Sequence, residues 1–195
     1  MRLFLFLLLL ASCQSRHYQD HQIKSSYALE ETKGIAVLKV DGRKSMIGTR
    51  AQVSFDLTRV QDAAGNRTLE RLSYRVKPGF FSLGEVDREV LRLEPGLYII
   101  DNIEWKWGNT TYYTGEDLLF STCPVAFGAF EVLPGSVVYL GDFVVTNTDQ
   151  NVISMERTDR FFDAKADLSK RYSKLADALT PATFYPGGSC VPVGS

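Results

Sequence analysis

The feature that most constrains the fold is a regular alternation of apolar and polar residues over residues 51–60 and again over 71–76. Such a period of two indicates strands that bury one face and leave the other in water, as in an antiparallel sheet packed on one side. The residues between them, 62–66, are rich in turn formers and predict a hairpin. The apolar positions are Val53, Phe55, Leu57, Leu72, Tyr74 and Val76, and the polar ones are Ser54, Asp56, Thr58, Arg71, Ser73 and Arg75.

Further short β-rich runs, separated by turn signals, continue this pattern through most of the chain. Residues 35–40 form an apolar, β-branched run that ends at Asp41 and Gly42. Pro95-Gly96 and Pro134-Gly135 each suit a type II turn, because proline fixes φ and glycine accepts a positive φ. Gly141 and Asp142 interrupt a later run and indicate a bulge or a close backbone approach. The sequence therefore predicts a mainly all-β domain, an antiparallel β-sandwich of about eight to ten strands.

One amphipathic helix is predicted near the C-terminus, over residues 163–179. Its apolar stripe has helical spacing, Asp163 is a suitable N-cap, and Pro181 follows where the helix should stop. We expect the stripe to pack on its own domain; a partner's groove or a membrane surface is the alternative. The stripe is Leu168, Tyr172, Leu175 and Leu179, and the opposite face carries Lys170, Arg171, Lys174 and Asp177.

The N-terminus has the layout of a secretory signal: Arg2, a short apolar run over residues 3–11, and then Leu10-Ala11-Ser12-Cys13. The run is too short to span a membrane. The final four residues resemble the lipobox of bacterial lipoproteins. This resemblance implies a signal peptide at residues 1–12, a diacylglycerol on Cys13 that anchors the protein to the membrane, and, from Gln14, sorting to the outer membrane on the periplasmic side. Residues 13–33 are polar and predict a flexible tether, which leaves a domain at 34–195.

Charge and histidine content exclude several classes of function. Removal of residues 1–12 takes one of the 22 basic residues, so 21 face 23 acidic ones, a net charge of −2. That balance argues against nucleic acid as a partner. The only histidines, His17 and His21, lie in the tether. Histidine-dependent nucleophilic catalysis and histidine-based zinc sites therefore lack their residues in the domain. We expect no metal and no cofactor.

Two cysteines, Cys123 and Cys190, remain in the domain, and exported proteins fold where disulfides persist. A disulfide between them would stabilise the fold by roughly 4 kcal/mol in the chain-entropy model, because it closes a long loop. The alternatives are a buried thiol at Cys123 and a frayed tail at Cys190.

Residues 105–113 are the segment that most suggests binding, because both tryptophans and two adjacent tyrosines share it with asparagine and threonine, and such aromatic faces flanked by hydrogen-bonding groups suit glycan or protein contact. The possible binding loop comprises Trp105, Trp107, Asn109, Tyr112 and Tyr113. The alternative is that both tryptophans pack in the core. Acids near this segment could hydrolyse a glycan without histidine; these are Asp101, Glu104, Glu116 and Asp117.

Residues 93–98 and 132–142, each with a Pro-Gly turn followed by an aromatic residue, are similar to small envelope β-sandwich proteins of unknown function. This resemblance covers residues 90–145 and concerns the fold alone. Together with the lipobox, it leads us to expect a non-catalytic binding or structural component of the cell envelope that contacts an envelope protein or a surface glycan. The alternatives are a carboxylate hydrolase of envelope glycan and a periplasmic inhibitor or chaperone-like module that presents residues 105–113.

Overall fold

The computed structural model describes residues 23, 29–44, 50–76, 88–114, 128–147 and 153–185. These ranges form eleven strands and two short helices near the C-terminal end, which confirms the mainly β fold class. The elements are β1 (Gly34–Lys44), β2 (Arg50–Asp62), β3 (Arg67–Val76), β4 (Glu89–Leu93), β5 (Gly96–Trp107), β6 (Thr110–Thr114), β7 (Ala129–Val132), β8 (Val137–Asn147), β9 (Ile153–Thr158), α1 (Phe161–Arg171), α2 (Ser173–Ala178), β10 (Leu179–Pro181) and β11 (Phe184–Tyr185).

The strands form one curled sheet whose two parts pack face to face. Sheet A contains β2, β3, β5, β6, β7 and β11, and sheet B contains β1, β4, β8, β9 and β10. The two parts join where β1 pairs with β2, at Gly42 opposite Ala51. A side chain at Gly42 would collide with the backbone carbonyl of Ala51, so this crossing of the strands requires glycine.

Sheet B is mixed, which corrects the purely antiparallel prediction. β8 runs parallel to β1 along most of its length and parallel to β10 over three residues. The antiparallel β4 and β9 complete this sheet. Parallel partners need long crossover connections, and β1 and β8 lie about a hundred residues apart in sequence. Local alternation therefore predicted the strands without revealing this pairing.

The main core lies between the two sheets. The alternating apolar positions of β2 and β3 point into it, with Phe55 stacked on Tyr74. Tyr98 and Phe130 stack in the same way and tie β5 to β7. The largest buried side chain is Trp105, which is 2% exposed. Burial of such aromatic side chains dominates the energetics of a core of this kind.

A second core lies on the outer face of sheet B, where both helices pack. Ile35 and Val37 of β1, together with Tyr139 of β8, meet Leu168 and Leu175 of the helices. The predicted apolar stripe is therefore buried on its own domain, as expected. Sheet A, sheet B and the helical layer, which we define as α1 and α2, form three layers in that order.

The predicted single helix is in fact two helices. Tyr172, with φ −141° and ψ 65°, separates α1 from α2. The predicted N-cap at Asp163 is wrong, because α1 already begins at Phe161 and Asp163 lies within its first turn. Asp159 accepts a hydrogen bond from the backbone N–H of Phe161 (3.0 Å) instead. An Asx interaction of this kind satisfies an N–H that has no partner within the helix.

Two predicted turns and the predicted bulge agree with the structure, whereas the first strand does not end at Asp41 and Gly42, because β1 continues to Lys44. Asp62 closes the β2–β3 hairpin by accepting backbone hydrogen bonds from Ala64 and Asn66. Gly135 has φ +67°, and the N–H of Ser136 donates to the carbonyl of Leu133, as in a type II turn. Around Gly141, with φ +121°, the register of β1 with β8 shifts, which places a bulge there. The other predicted Pro-Gly turn, at Pro95-Gly96, is wrong: Gly96 has φ +154° and is already part of β5, where it pairs with Val132 of β7.

The predicted tether is shorter at its C-terminal end than residues 13–33. Leu29 packs on the second core, Glu30 pairs with Arg92 at 2.9 Å, and Lys33 pairs with Glu94. The carbonyl of Lys33 also accepts a hydrogen bond from Gly135 (2.8 Å). Residues 29–33 therefore belong to the folded domain, although their polar composition resembles that of a linker.

Candidate functional site

The outer face of sheet A carries polar side chains across β3, β2 and β5, and we call it the polar face. On β2 it is formed by Ser54, Asp56 and Thr58, because Val53, Phe55 and Leu57 point inward. Register places Arg75 and Glu104 on either side of Ser54, and Arg71 and Ile99 on either side of Thr58. Both helices of the described ranges pack on sheet B and not on this face.

Asp56 lies at the centre of the polar face and is fully buried. Its carboxylate lies 4.0 Å from Nε of Arg71. The Arg71 side chain is itself 32% exposed, so the positive charge reaches solvent while the negative charge does not. Because the Arg71 guanidinium is partly shielded from water, its attraction to the charge of a binding partner is stronger than that of a fully solvated side chain.

The polar side of β2 is therefore buried, which corrects the prediction of a wet face. Ser54, Asp56 and Thr58 are each at most 3% exposed. They lie on β2 between β3 and β5, where Asp56 is paired in register with Ser73 and Asp101. Ser54 Oγ has no hydrogen-bond partner among the protein atoms. Solvent reaches the polar face mainly at its flanks, through Arg71 on β3 and Lys106 on β5.

The proposed binding loop at residues 105–113 is a tight hairpin between β5 and β6. Trp105 is not part of an exposed loop: its indole lies in the main core, because it follows the inward positions of β5. Gly108 (φ +55°) and the exposed Asn109 form the two-residue turn. The backbone places Tyr112 opposite Trp105 and Tyr113 opposite Glu104. The side chains of Trp107, Tyr112 and Tyr113 lie outside the described part of the chain.

The four acids considered for hydrolysis are only partly described. Glu104 is half-buried on the polar face. Asp101 pairs with Asp56 across β5 and β2, next to a shift in register, and its side chain lies outside the described residues. Glu116 and Asp117 also lie outside them. The backbone thus brings Asp101 and Glu104 to the strand beside Asp56.

A second charged cluster joins the helical layer to sheet B. Arg88 precedes β4, and its side chain is 8% exposed. Its guanidinium forms a fork: one nitrogen lies 2.9 Å from the carboxylate of Asp142 on β8, and the other contacts Asp167 on α1. Lys170 also donates to Asp167 (2.8 Å). We call these four residues, with Tyr139, the Arg88 cluster.

Tyr139, a buried residue of β8 in the second core, joins the Arg88 cluster through its hydroxyl. Its hydroxyl donates to Asp142 (2.7 Å) and accepts a hydrogen bond from the backbone N–H of Arg160 (3.2 Å). Burial, reinforced by the bond to Asp142, raises the pKa of the Tyr139 phenol, so it remains a donor at neutral pH. The hydrogen bond from Lys170 lowers the pKa of Asp167, and Arg88 adds to this effect. The Arg88 cluster therefore links α1 to sheet B, and the carboxylates of Asp142 and Asp167 are both paired within it.

Several predicted sites cannot be placed. Cys13, Cys123 and Cys190, and with them the lipid attachment and the possible disulfide, lie outside the described residues, as do His17 and His21. Among the side chains that the structure does describe, no group of three or more histidine, cysteine or acidic residues could hold a metal ion. Neither of the helices in the described ranges is long and apolar enough to cross a membrane.

The polar face was not identified as a site from the sequence, although its pattern was visible there. Arg71, Ser73 and Arg75 alternate with apolar residues on β3, and Ser54 and Asp56 do so on β2. The missing information was the register, which aligns Ser54 with Arg75 and Asp56 with Ser73. The signal available in the sequence was the pair of arginines, Arg71 and Arg75, on one predicted strand of the hairpin and the acid Asp56 on the other.

No protein-family model matches the chain, and no curated protein matches its sequence. Among solved structures, one match is a "putative cell adhesion protein" from Bacteroides ovatus, at 12% identity and a TM-score of 0.39, covering 66% of this chain and 44% of that one. Another is a leucine-rich repeat protein from Bacteroides thetaiotaomicron, at 15% identity and a TM-score of 0.32, covering 71% of this chain and 16% of that one. The chain thus spans less than half of either structure.

Proposed function

We propose that the protein is a lipid-anchored, non-catalytic binding component of the bacterial cell envelope that contacts another envelope protein through the polar face of sheet A. The observation that carries this proposal is the difference between the two outer faces of the sandwich. The helical layer closes sheet B with an apolar core. The outer face of sheet A instead presents Arg71, Glu104 and Lys106 around the buried Asp56.

The chemistry of the polar face suits a protein partner. Arginine is enriched in protein interfaces, where its planar guanidinium donates several hydrogen bonds in a fixed geometry. The side chain of Arg71 can approach a partner's carboxylate while Asp56 holds it from below. Arg75 pairs in register with Ser54 one step along the same face. Charges arranged in this way give specificity and faster association more than affinity.

Attachment to the membrane is the second part of the proposal and rests on the lipobox at residues 10–13. Two or more acyl chains give stable anchorage, because each buried CH₂ contributes roughly 0.8 kcal/mol. Metabolic labelling with a palmitate analogue should mark the wild-type protein and leave a Cys13→Ser variant unmarked. Labelling of that variant would contradict lipidation at this cysteine.

The binding role is tested by cross-linking the wild-type protein in intact cells and identifying by mass spectrometry what it captures. We expect a dominant protein partner that is lost in Lys106→Glu, which reverses an exposed charge on the polar face. The matched control is Glu156→Lys, an exposed charge reversal on β9 of sheet B. Equal capture by both variants would contradict the polar face as the interface. Recovery of cell-wall fragments alone would contradict a protein partner and favour a glycan.

A further inference from the structure

The described residue nearest to Cys13 in the chain, Ile23, contacts the helical layer. The hydroxyl of Tyr172, at the junction of α1 and α2, donates to the backbone carbonyl of Ile23. Ile23 and Leu29 both pack on the second core beside the helices. The nine residues between Cys13 and Ile23 make ten Cα–Cα steps, which can span at most about 36 Å when fully extended. The contact of Ile23 therefore places the helical layer within that distance of Cys13.

The outward side of the helical layer carries a large apolar residue that is mostly exposed. Phe162 is 83% exposed, the highest value among the large hydrophobic side chains in the described ranges. Its neighbour Phe161 packs on Tyr139, and the Phe162 ring meets Phe161 edge-on at 5.6 Å between centroids, which leaves most of the Phe162 ring in water. Ala166 and Ser169, one and two turns further along α1, are exposed on the same side. These short side chains leave the ring accessible to a flat surface.

Basic residues are concentrated around the junction of the helices. Between residues 165 and 174 there are four basic side chains, Lys165, Lys170, Arg171 and Lys174, and one acidic side chain, Asp167. The Asp167 carboxylate already contacts Arg88 and Lys170. Asp163 and Asp177 lie outside this stretch, one toward each end of the layer. The local excess of positive charge thus coincides with the point where Ile23 joins the layer.

We infer that the outward side of the helical layer rests on the membrane surface, with Phe162 inserted at the headgroup boundary and Lys170 and Lys174 against anionic phospholipid. An aromatic residue on a helix with basic flanks is the combination that binds at the interface of a bilayer. Basic side chains beside an anionic membrane are attracted over about a Debye length. The lipid on Cys13 would keep the layer within reach of the membrane, so that the layer can approach to that distance.

This contact would set the orientation of the whole domain. Sheet B lies between the helical layer and sheet A, so the polar face points away from the membrane when the helices rest on it. The proposed protein-binding face and the proposed membrane-binding face are then on opposite sides of the molecule. The inference rests on the membrane attachment proposed above, and it adds a surface that the attachment alone does not require.

The experiment is lysine footprinting of the lipidated protein on vesicles. The protein is reconstituted on phosphatidylcholine alone or on an equal mixture of phosphatidylcholine and phosphatidylglycerol, acetylated briefly, and analysed by mass spectrometry. We expect Lys170 and Lys174 to react several-fold more slowly on the anionic vesicles, and high salt to restore their reactivity. Lys106, which is exposed on the polar face, is the internal control and should react equally on both. Equal reactivity of Lys170 and Lys174 on both kinds of vesicle would overturn the inference.

Two further measurements separate the possible failures. Phe162→Ser should remove much of the protection of Lys170 and Lys174, whereas Leu69→Ser, at a residue 54% exposed on β3, should leave it intact. Protection that survives Phe162→Ser would contradict insertion of the ring. Flotation of the vesicles tests the attachment itself: protein that does not float refutes the lipid anchor, and protein that floats without protection refutes only the contact of the helical layer.

Discussion

Replacing Arg88 with methionine would remove the cation that Asp142 faces while keeping a flexible side chain of similar length. The Asp142 residue is 6% exposed, and its carboxylate lies 2.9 Å from the guanidinium. At an effective dielectric constant of about 20, the attraction between unit charges at 2.9 Å is about 6 kcal/mol before any cost of desolvation. Much of that attraction offsets the removal of both charges from water.

The net effect of Arg88→Met should therefore be a loss of about 3–5 kcal/mol of the free energy of unfolding, as for other broken buried pairs. Asp167 contributes less, because its side chain is 41% exposed and keeps Lys170. For a domain of this size, that loss lowers the melting temperature by roughly 6–20 °C. Urea denaturation followed by far-UV circular dichroism measures the free energy directly.

The partner variant Asp142→Asn checks the reasoning. A neutral amide retains the hydrogen bond from Tyr139 and leaves Arg88 its contact with Asp167, so we expect a smaller loss of about 1–3 kcal/mol. The double variant should be more stable than the sum of the two single effects predicts, by about 0.5–3 kcal/mol. A loss below about 1 kcal/mol for Arg88→Met, or strict additivity, would show that the two charges are not coupled as described.

Three other changes test separate parts of the fold. Gly141→Ala should lower the stability of the fold more than Gly108→Ala does, because a Cβ at 141 would lie 2.7 Å from Nε of Arg157 whereas the space at 108 is open. Gly108→Ala should cost only the left-handed backbone penalty of about 1–2 kcal/mol. Urea denaturation of the two variants compares their free energies of unfolding. Asp62 accepts a side-chain hydrogen bond from Asn66, which lowers its pKa below the ordinary 3.8, so its contribution to stability is present above the unfolded-state pKa and is lost as the pH falls through the lower folded-state value. Asn66→Ala should raise that pKa in an NMR titration of the carboxyl carbon, and an unchanged value would refute this cause. Trp105→Ala should lower the free energy of unfolding by about 3–5 kcal/mol, because it empties a buried position in the main core. A variant that stays as stable as the wild type in urea but no longer binds its partner would show instead that Trp105 belongs to an interface.

The elements that the sequence predicted correctly are those set by neighbours along the chain. The β2–β3 hairpin follows from two alternating runs and the Asp62–Asn66 turn, because a turn and a period of two are local properties. The turn at Gly135 and the bulge at Gly141 follow from the backbone freedom of glycine. The apolar stripe from Leu168 to Leu179 predicted which side of the helical layer is buried.

The remaining features depend on contacts between distant residues. β1 and β8 are each an apolar run, as is typical of strands buried on both faces, but such a run does not show which strand it pairs with or in which direction. Asp56 is fully buried on a strand that is paired on both sides, so its polarity alone misled the prediction of a wet face. The sequence around Leu29 and Lys33 is polar and resembles a linker. In the fold, Leu29 packs on the second core and Lys33 pairs with Glu94, and both contacts are with residues distant in sequence. Trp105 looked like part of a binding loop because aromatic residues suit interfaces and cores equally well.

The most direct test of the proposed function is site-specific photo-cross-linking in living cells. A photoreactive amino acid is placed at Lys106 on the polar face or, in a separate strain, at Glu156 on β9 of sheet B, both of which are exposed. We expect the Lys106 position to capture one envelope protein on illumination and the Glu156 position to capture none of it. Capture of the same protein from Glu156 alone, or of no protein from Lys106 in cells where the chain is lipidated, would contradict a binding role for the polar face.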